Sequence, residues 1–173
     1  MSEEIAPVPQ QPQPGTRGKA LTGGVLVAAV AIAVSIVHLF EPAPKDPNIG
    51  YWDKIGQVAT ACEGHTGDVI VGHRYTDAQC AEFKQQDLMR AARIVNRCVH
   101  VVLTPGQGGA LIDAVYNMGS DPVCDSTMSD EIEAGAPPSV WCLQLKYWNH
   151  GGGRVLRGLS RRRTVDIAAC LKP

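Results

Sequence analysis

The longest uncharged stretch of the sequence restricts its fold more than any other feature. From Ala20 to Phe40, 21 residues pass without Asp, Glu, Lys or Arg. A helix of that length spans the roughly 30 Å hydrocarbon core of a bilayer. Arg17 and Lys19 precede the stretch and Glu41 follows it. Because basic residues favour the cytoplasmic side, the sequence predicts a transmembrane helix over 20–40, a cytoplasmic segment 1–19 and an exported domain 41–173.

The predicted membrane helix is only weakly hydrophobic. Ten of its 21 residues are Ala, Gly, Thr, Ser or His, and eleven are Leu, Val, Ile or Phe. This composition permits the segment to leave the membrane again. A permanent anchor is one alternative. A cleaved signal peptide is disfavoured, because it needs an apolar core of about 7–15 residues and a small-x-small cleavage site.

The segment before the helix has no apolar periodicity. Residues 1–19 combine glutamines with Pro7, Pro9, Pro12 and Pro14, which predicts a disordered tail. The whole chain carries 16 basic and 17 acidic residues, a net charge of −1. We therefore expect no nucleic-acid partner, since no chain-wide positive field exists to neutralise phosphates.

All six cysteines lie after the apolar segment, and none of them forms a C-x-x-C pair. They are Cys62, Cys80, Cys98, Cys124, Cys142 and Cys170. An even number of cysteines in an exported chain favours disulfides and an oxidising compartment; reduced thiols in a cytosolic protein are the alternative. Six cysteines allow fifteen pairings, and our hypothesis is that each pairs with its neighbour in the sequence. Zinc binding by Cys62, His65, His73 and Cys80 is the less favoured reading, so no metal is expected.

The remaining chain predicts a small α+β domain. Isolated β-branched residues among glycines indicate short strands over 51–75. Capping boxes at Thr76 and Thr104 predict helices that run to about Cys98 and Met118. Further helices are predicted over 126–134, 138–149 and 160–171. A small β lobe before a larger helical lobe would leave a cleft between them.

Three ordered sequence blocks resemble the phage-type lysozymes of glycoside hydrolase family 24. The first is the run T-A-C-E-G-H-T-G over 60–67, and the second contains the Y-N-M-G run over 116–119. The third runs from Trp148 to Cys170 and includes the R-R-R run over 161–163 and Asp166. With the apolar segment upstream, the chain is similar to the signal-arrest-release subgroup, which is exported while tethered and later released. The resemblance implies a lysozyme-like fold.

The resemblance implies a catalytic set of Glu41, Asp53 and Thr60, in which Glu41 is the acid and Asp53 the base. The spacings between them are slightly longer than in the family, and an ungapped alignment would place Lys45 and Lys54 at the acidic positions. Alternatives therefore remain open. Glu41 can simply end the membrane helix, Asp46 can replace it, and Asp53 can be a turn-forming residue. Thr60 either holds the attacking water or only favours a strand.

The resemblance further implies that His65, Tyr116 and Asn117 bind substrate, although a structural hydrogen bond is the alternative for His65 and packing for the other two. The last twenty residues are strongly basic, with five arginines, Lys172 and only Asp166 as an acid. A positive face would attract the carboxylates of wall peptides. Solvated arginines with one or two structural ion pairs are the alternative.

Together these features predict an endolysin, a muramidase that hydrolyses the β-1,4 bond between N-acetylmuramic acid and N-acetylglucosamine in peptidoglycan for host cell lysis. No cofactor is expected. The expected location is the host inner membrane facing the periplasm, followed by release as a monomer into the periplasm. A catalytically silent, membrane-tethered peptidoglycan-binding protein on the same fold is the alternative.

Overall fold

The computed structural model describes residues 17–40 and 46–172. Glu41, the predicted acid, lies outside these ranges, as do residues 1–16 of the predicted tail. The described chain has a small β lobe and a larger helical lobe, as predicted. The helices are α1 (Gly23–Phe40), α2 (Asp77–Cys98), α3 (Pro105–Met118), α4 (Asp121–Cys124), α5 (Thr127–Glu133), α6 (Pro138–Trp141) and α7 (Arg157–Cys170), with a 3₁₀ helix at Cys142–Tyr147 after α6.

Two antiparallel sheets accompany the helices. Strands β1 (Tyr51–Asp53), β2 (Val58–Ala61) and β3 (His65–Thr66) form the sheet of the β lobe in the order β1-β2-β3. Strands β4 (His150–Gly151) and β5 (Arg154–Val155) form a short hairpin just before α7. The β lobe is therefore built from local hairpins, which suits its alternation of β-branched residues and glycines.

Local capping chemistry positions the two longest helices of the helical lobe. Thr76 Oγ1 accepts a hydrogen bond from the Gln79 N–H, and the Gln79 side chain accepts one from the Thr76 N–H. Thr104 and Gln107 make the same reciprocal pair ahead of Pro105. Each box satisfies backbone donors that the first helical turn leaves free. The predicted bounds of α2 and α3 are confirmed.

Two predicted helices differ from the structure in ways that tertiary contacts explain. The helix predicted over 138–149 is a short α-helix followed by a 3₁₀ helix, which turns Cys142 and Leu145, three residues apart, toward the core. The last helix begins at Arg157, before the predicted Ser160. The Ser160 hydroxyl donates to the Leu156 carbonyl inside the helix and accepts from Asn149 Nδ2, so it does not cap the helix.

Helix α1 packs against α3 and contributes to the core of the helical lobe. Ala29, Ala33, Ile36 and Val37 are buried, whereas Val27 is 70% exposed. By length and composition this is also the one helix among residues 17–40 and 46–172 that could cross a membrane. The same segment therefore has two possible apolar environments: a bilayer, and the groove on the helical lobe where α1 packs against α3.

A short segment before α1 fastens its N-terminal end to the helical lobe. Asn96 Oδ1 accepts from the Leu21 N–H at 2.7 Å, and Asn96 Nδ2 donates to the Leu21 carbonyl at 3.0 Å. The Leu103 N–H donates to the Ala20 carbonyl. Ala20 and Leu21 are each only 1% exposed. In this structure the N-terminal part of the predicted membrane segment is thus held by the folded domain.

Glycines on α3 allow the close approach of α1. A Cβ at Gly109 would lie 2.5 Å from Ile32 Cγ2 and 3.1 Å from the Ala29 carbonyl oxygen. We expect Gly109→Ala to lower the free energy of unfolding by about 1–3 kcal/mol, because α1 must shift. Gly158→Ala in α7 is the matched control, since its Cβ would meet nothing within 4 Å. Urea denaturation of both oxidised variants checks this, and equal stabilities would contradict it.

Three disulfides join the lobes and helices. The pairs are Cys62 with Cys80, Cys98 with Cys124, and Cys142 with Cys170. They link the β lobe to α2, α2 to α4, and the 3₁₀ helix to α7. Under the chain-entropy model each contributes on the order of 3 kcal/mol by restricting the unfolded chain.

Candidate active site

A cleft of about 690 Å³ separates the β1–β2 hairpin from the helical lobe. The hairpin contributes one wall, the C-terminal end of α3 the floor, and the β4–β5 hairpin with the start of α7 the opposite wall. Its lining residues are Phe40, Asp53, Ile55, Gly56, Asn117, Met118, His150, Gly151, Leu156, Arg157, Gly158, Leu159 and Arg162. Of the two predicted catalytic residues that the structure describes, Asp53 lines the cleft and Thr60 does not.

Asp53 ends strand β1 with its carboxylate at the cleft. Its Oδ1 accepts a hydrogen bond from the Ile55 N–H at 2.8 Å, which is the turn geometry raised as an alternative role. Asp53 also lines the cleft, so the turn and the cleft position are compatible. The hydrogen bond from Ile55 orients the carboxylate.

Thr60 lies on β2, and its relation to Asp53 follows from the strand register. Asp53 pairs with Val58, and Tyr51 pairs with Thr60. Paired residues and residues two apart share one face of a sheet, so Thr60 is on the same face as Asp53. Thr60 is 4% exposed, and its hydroxyl donates to the Val58 carbonyl at 3.3 Å. Thr60 is not one of the described residues that line the cleft.

The C-terminal end of α1 reaches the cleft. Phe40 is the last residue of α1 and lines the cleft wall. Glu41 is the next residue in the sequence. The packing of α1 on α3 therefore positions Phe40 at the cleft.

Two of the three predicted substrate-binding residues lie away from the cleft. His65 Nδ1 is 2.7 Å from Asp87 Oδ2, and the imidazole stacks on Phe83 with a centroid distance of 4.1 Å. The Tyr116 hydroxyl donates to the Glu63 carbonyl at 2.8 Å. Both side chains attach the β lobe to the helical lobe, and neither lines the cleft.

The third predicted residue, Asn117, lines the cleft and is hydrogen-bonded by a buried arginine. Its Oδ1 accepts a hydrogen bond from Arg163 Nη2 at 3.2 Å. Arg163 is 1% exposed and also contacts Asp113. A buried guanidinium thus fixes the orientation of the amide, so that its NH₂ group is available to the cleft.

Asn117 is supported by a buried cluster of four ionisable residues. These are Asp113, Arg162, Arg163 and Asp166, all at most 2% exposed. Arg162 donates to both Asp113 oxygens at 2.8 Å, and Arg163 Nε lies 2.9 Å from Asp166 Oδ2. Burial, and then the Asp113 charge beside it, raise the pKa of Asp166 from its ordinary value of 3.8 to about 8. The cluster connects α3 to α7 under the cleft floor.

Several cleft residues were not predicted from the sequence. His150 and Gly151 belong to the β4–β5 hairpin, and Leu156 and Arg157 follow it. The G-G-G-R run over 151–154 was the only local signal, because consecutive glycines before a β-branched residue favour a tight turn. A Cβ at Gly151 would lie 2.7 Å from Leu156 and 3.3 Å from Ile55, so the two hairpins approach each other across the cleft.

The Asp53 carboxylate lies where a side chain at position 56 would be, and this requires Gly56. A Cβ at Gly56 would lie 2.9 Å from Asp53 Oδ2. Because the resemblance implies that Asp53 is the catalytic base, we expect Gly56→Ala to displace this carboxylate and to lower the implied hydrolysis of bacterial walls about tenfold, since small misplacements of catalytic groups are costly. Thermal unfolding should change little, since Asp53 Oδ2 is a movable side-chain atom. Turbidity assays on bacterial walls check the rate, and wild-type activity would contradict the prediction.

Comparison with known proteins agrees with this geometry. The profile of the phage lysozyme family matches residues 48–166. The chain is 35% identical to the SAR-endolysin of Bacteriophage PS119 over 158 residues, 88% of this chain and 90% of that protein.

Its fold resembles the muramidase domain of SpmX from Asticaccaulis excentricus, with a TM-score of 0.70, 23% identity and coverage of 82% of this chain and 95% of that chain. It also resembles the active form of the P1 phage endolysin Lyz, with a TM-score of 0.69, 20% identity and coverage of 89% and 96%. The chain therefore belongs to the phage lysozyme family.

Proposed function

We propose that this chain is an endolysin that hydrolyses the β-1,4 bond between N-acetylmuramic acid and N-acetylglucosamine in peptidoglycan and so lyses the host cell. The observation that carries the proposal is the position of Asp53, which lines a cleft between a β lobe and a helical lobe in a member of the phage lysozyme family. A groove open along the boundary of two lobes suits a polymer substrate.

In this proposal Asp53 is the general base and Glu41 the general acid. Glycosidic hydrolysis uses one protonated carboxyl to donate to the leaving oxygen and one carboxylate to activate water. The Ile55 N–H holds Asp53 in place. Glu41 directly follows cleft-lining Phe40 in the sequence, which supports its role. Thr60 shares the Asp53 face of the hairpin, and we assign its hydroxyl to the attacking water.

Of the three predicted substrate-binding residues, we assign direct contact with the substrate to Asn117. The Arg163 guanidinium holds its carbonyl oxygen, which leaves its NH₂ group as a donor to a sugar or acetamido oxygen. For His65 and Tyr116 the contacts with Asp87 and Glu63 support a role in orienting the β lobe. Their effect on the substrate is then indirect, through the position of Asp53.

We further propose that α1 is first a membrane anchor and then a core helix. The relative from Bacteriophage PS119 carries the name SAR-endolysin, and the packing of α1 on α3 supports the second state. While α1 spans the inner membrane, Phe40 cannot line the cleft, and Glu41 is held at the bilayer surface. Release into the periplasm as a monomer lets α1 dock and brings Phe40 to the cleft. The environment of one helix would thus regulate the enzyme.

Analysis of the released products tests the function. The purified, oxidised full chain is incubated with peptidoglycan sacculi, and the soluble muropeptides are reduced and identified by mass spectrometry. A muramidase leaves N-acetylmuramic acid at the new reducing end. Products ending in N-acetylglucosamine would assign a different bond, and wall binding without soluble products would select the silent wall-binding alternative.

A further inference from the structure

We propose that Arg157 and Arg161 form a second binding subsite, which takes the carboxylates of the peptides attached to the glycan strand. This inference rests on the proposed function, because it concerns the part of the same substrate that extends beyond the sugar cleft. It assigns a specificity role to two arginines that the hydrolysis itself does not need.

A separate cavity adjoins the cleft at the start of α7. It has a volume of about 400 Å³ and is lined by Arg157, Ser160 and Arg161. Arg157 also lines the sugar cleft, so one side chain borders both spaces. Arg157 and Arg161 are four residues apart in one helix, which places both guanidinium groups on the same face. A ligand group leaving the cleft past Arg157 therefore meets Arg161 next.

Among the described residues, these two arginines differ from Arg162 and Arg163 in having no acidic partner. Arg162 and Arg163 are buried and bind Asp113 and Asp166. Arg157 and Arg161 are exposed, and in the part of the chain that the structure describes no carboxylate lies within salt-bridge distance of either. Asp166 is the only acidic residue after Arg154, and it is buried in the cluster. Within residues 17–40 and 46–172, neither guanidinium group therefore forms a salt bridge.

The chemistry of the substrate matches this charge. Each N-acetylmuramic acid of peptidoglycan carries a short peptide on its lactyl group, and that peptide has free carboxylates. A strand lying in the cleft must direct these peptides outward. A guanidinium binds a carboxylate through two parallel hydrogen bonds, whereas a lysine ammonium acts as a point charge. A cavity lined by arginines is therefore well suited to bind carboxylates.

The test compares native sacculi with sacculi whose peptide carboxylates have been converted to amides by carbodiimide coupling. The full chain is used, with the double variant Arg157→Gln/Arg161→Gln and the single variant Arg161→Gln. On native walls the double variant should lose about fivefold in kcat/KM, mainly through a higher apparent KM, as expected for exposed ion pairs. Amidation should slow the wild-type protein by the same factor and the double variant hardly at all.

Arg93→Gln/Arg97→Gln is the matched control. These arginines are also exposed and four residues apart on one helix, α2, and Arg93 also borders a cavity. The control has the same change in net charge and should behave as the wild-type protein on both walls. An equal loss in the control, or unchanged sensitivity to amidation in the Arg157 and Arg161 double variant, would overturn the subsite.

A failure of the proposed function is distinguishable from a failure of the subsite. If the wild-type protein releases no products from either wall, the muramidase assignment fails, and sedimentation with sacculi then decides the subsite. The wild-type protein should sediment more with native than with amidated walls, whereas the double variant should bind both equally. Equal binding by the wild-type protein would reject the subsite.

Discussion

Asp53→Asn is expected to lower muropeptide release at least about 100-fold with an unchanged fold, because a general base contributes roughly 10²–10⁴ to the rate. Asparagine keeps the shape of the side chain and can still accept the hydrogen bond that Ile55 donates to Oδ1. It cannot take a proton from water. Glu41→Gln should give a loss of similar size through the missing proton donor.

Asp46→Asn is the control for this pair, since Asp46 was an alternative to Glu41 as the acid. The Asp46 carboxylate pairs with Arg74 and accepts the Asn48 N–H, and it does not line the cleft. This variant should retain wild-type activity. Circular dichroism of all three proteins verifies folding. A folded Asp53→Asn variant with wild-type activity would remove Asp53 from the mechanism, and loss of activity in Asp46→Asn would move the acid to Asp46.

The largest effect on stability is expected for Asp113→Asn, a loss of about 3–5 kcal/mol in the free energy of unfolding. Asp113 is fully buried and receives two hydrogen bonds from Arg162 and one from Arg163. Removing its charge leaves two buried guanidinium groups with too little negative charge to balance them. Urea denaturation of the oxidised protein measures the difference, and a loss below about 1 kcal/mol would show that the cluster is not strongly coupled.

Asp166→Asn is the informative companion, because the two acids differ in protonation. The pKa of Asp166 is raised to about 8, so at pH 6 the folded protein holds Asp166 neutral, and a neutral amide should destabilise it less than Asp113→Asn does. The folded state binds this proton more tightly than the unfolded state. The contribution of Asp166 to stability is therefore complete below its ordinary pKa of 3.8 and is lost as the pH rises toward 8. The Asn variant should lack this dependence.

Local chemistry accounts for the elements that the sequence predicted well. The N-terminal bounds of α2 and α3 follow from reciprocal hydrogen bonds between residues three apart, which are local in the sequence. The three blocks of family residues likewise predicted the lysozyme-like fold, and the β-branched residues among glycines predicted short strands over 51–75. The role of Glu41 stays a prediction, since that residue is outside the described ranges.

Other features depended on residues far apart in the sequence. The last helix was predicted to begin at Ser160, but the Ser160 hydroxyl bonds to Asn149 and Leu156, and α7 begins earlier, at Arg157. His65 pairs with Asp87, 22 residues away. The hairpin with His150 and Gly151 became a cleft wall only because it meets Ile55 across the gap. No local pattern contains these contacts, so the sequence could not place them.

The apolar segment 20–40 shows most clearly what the sequence determines and what the tertiary structure determines. Its length and lack of charge determined that it forms a helix suited to an apolar environment, since backbone groups in such an environment must bond to one another. Which environment it occupies was decided by tertiary structure. Gly108 and Gly109 on α3 lack the side chains that would block Leu21, Ala29 and Ile32, so the folded domain offers a groove in which the helix buries one face.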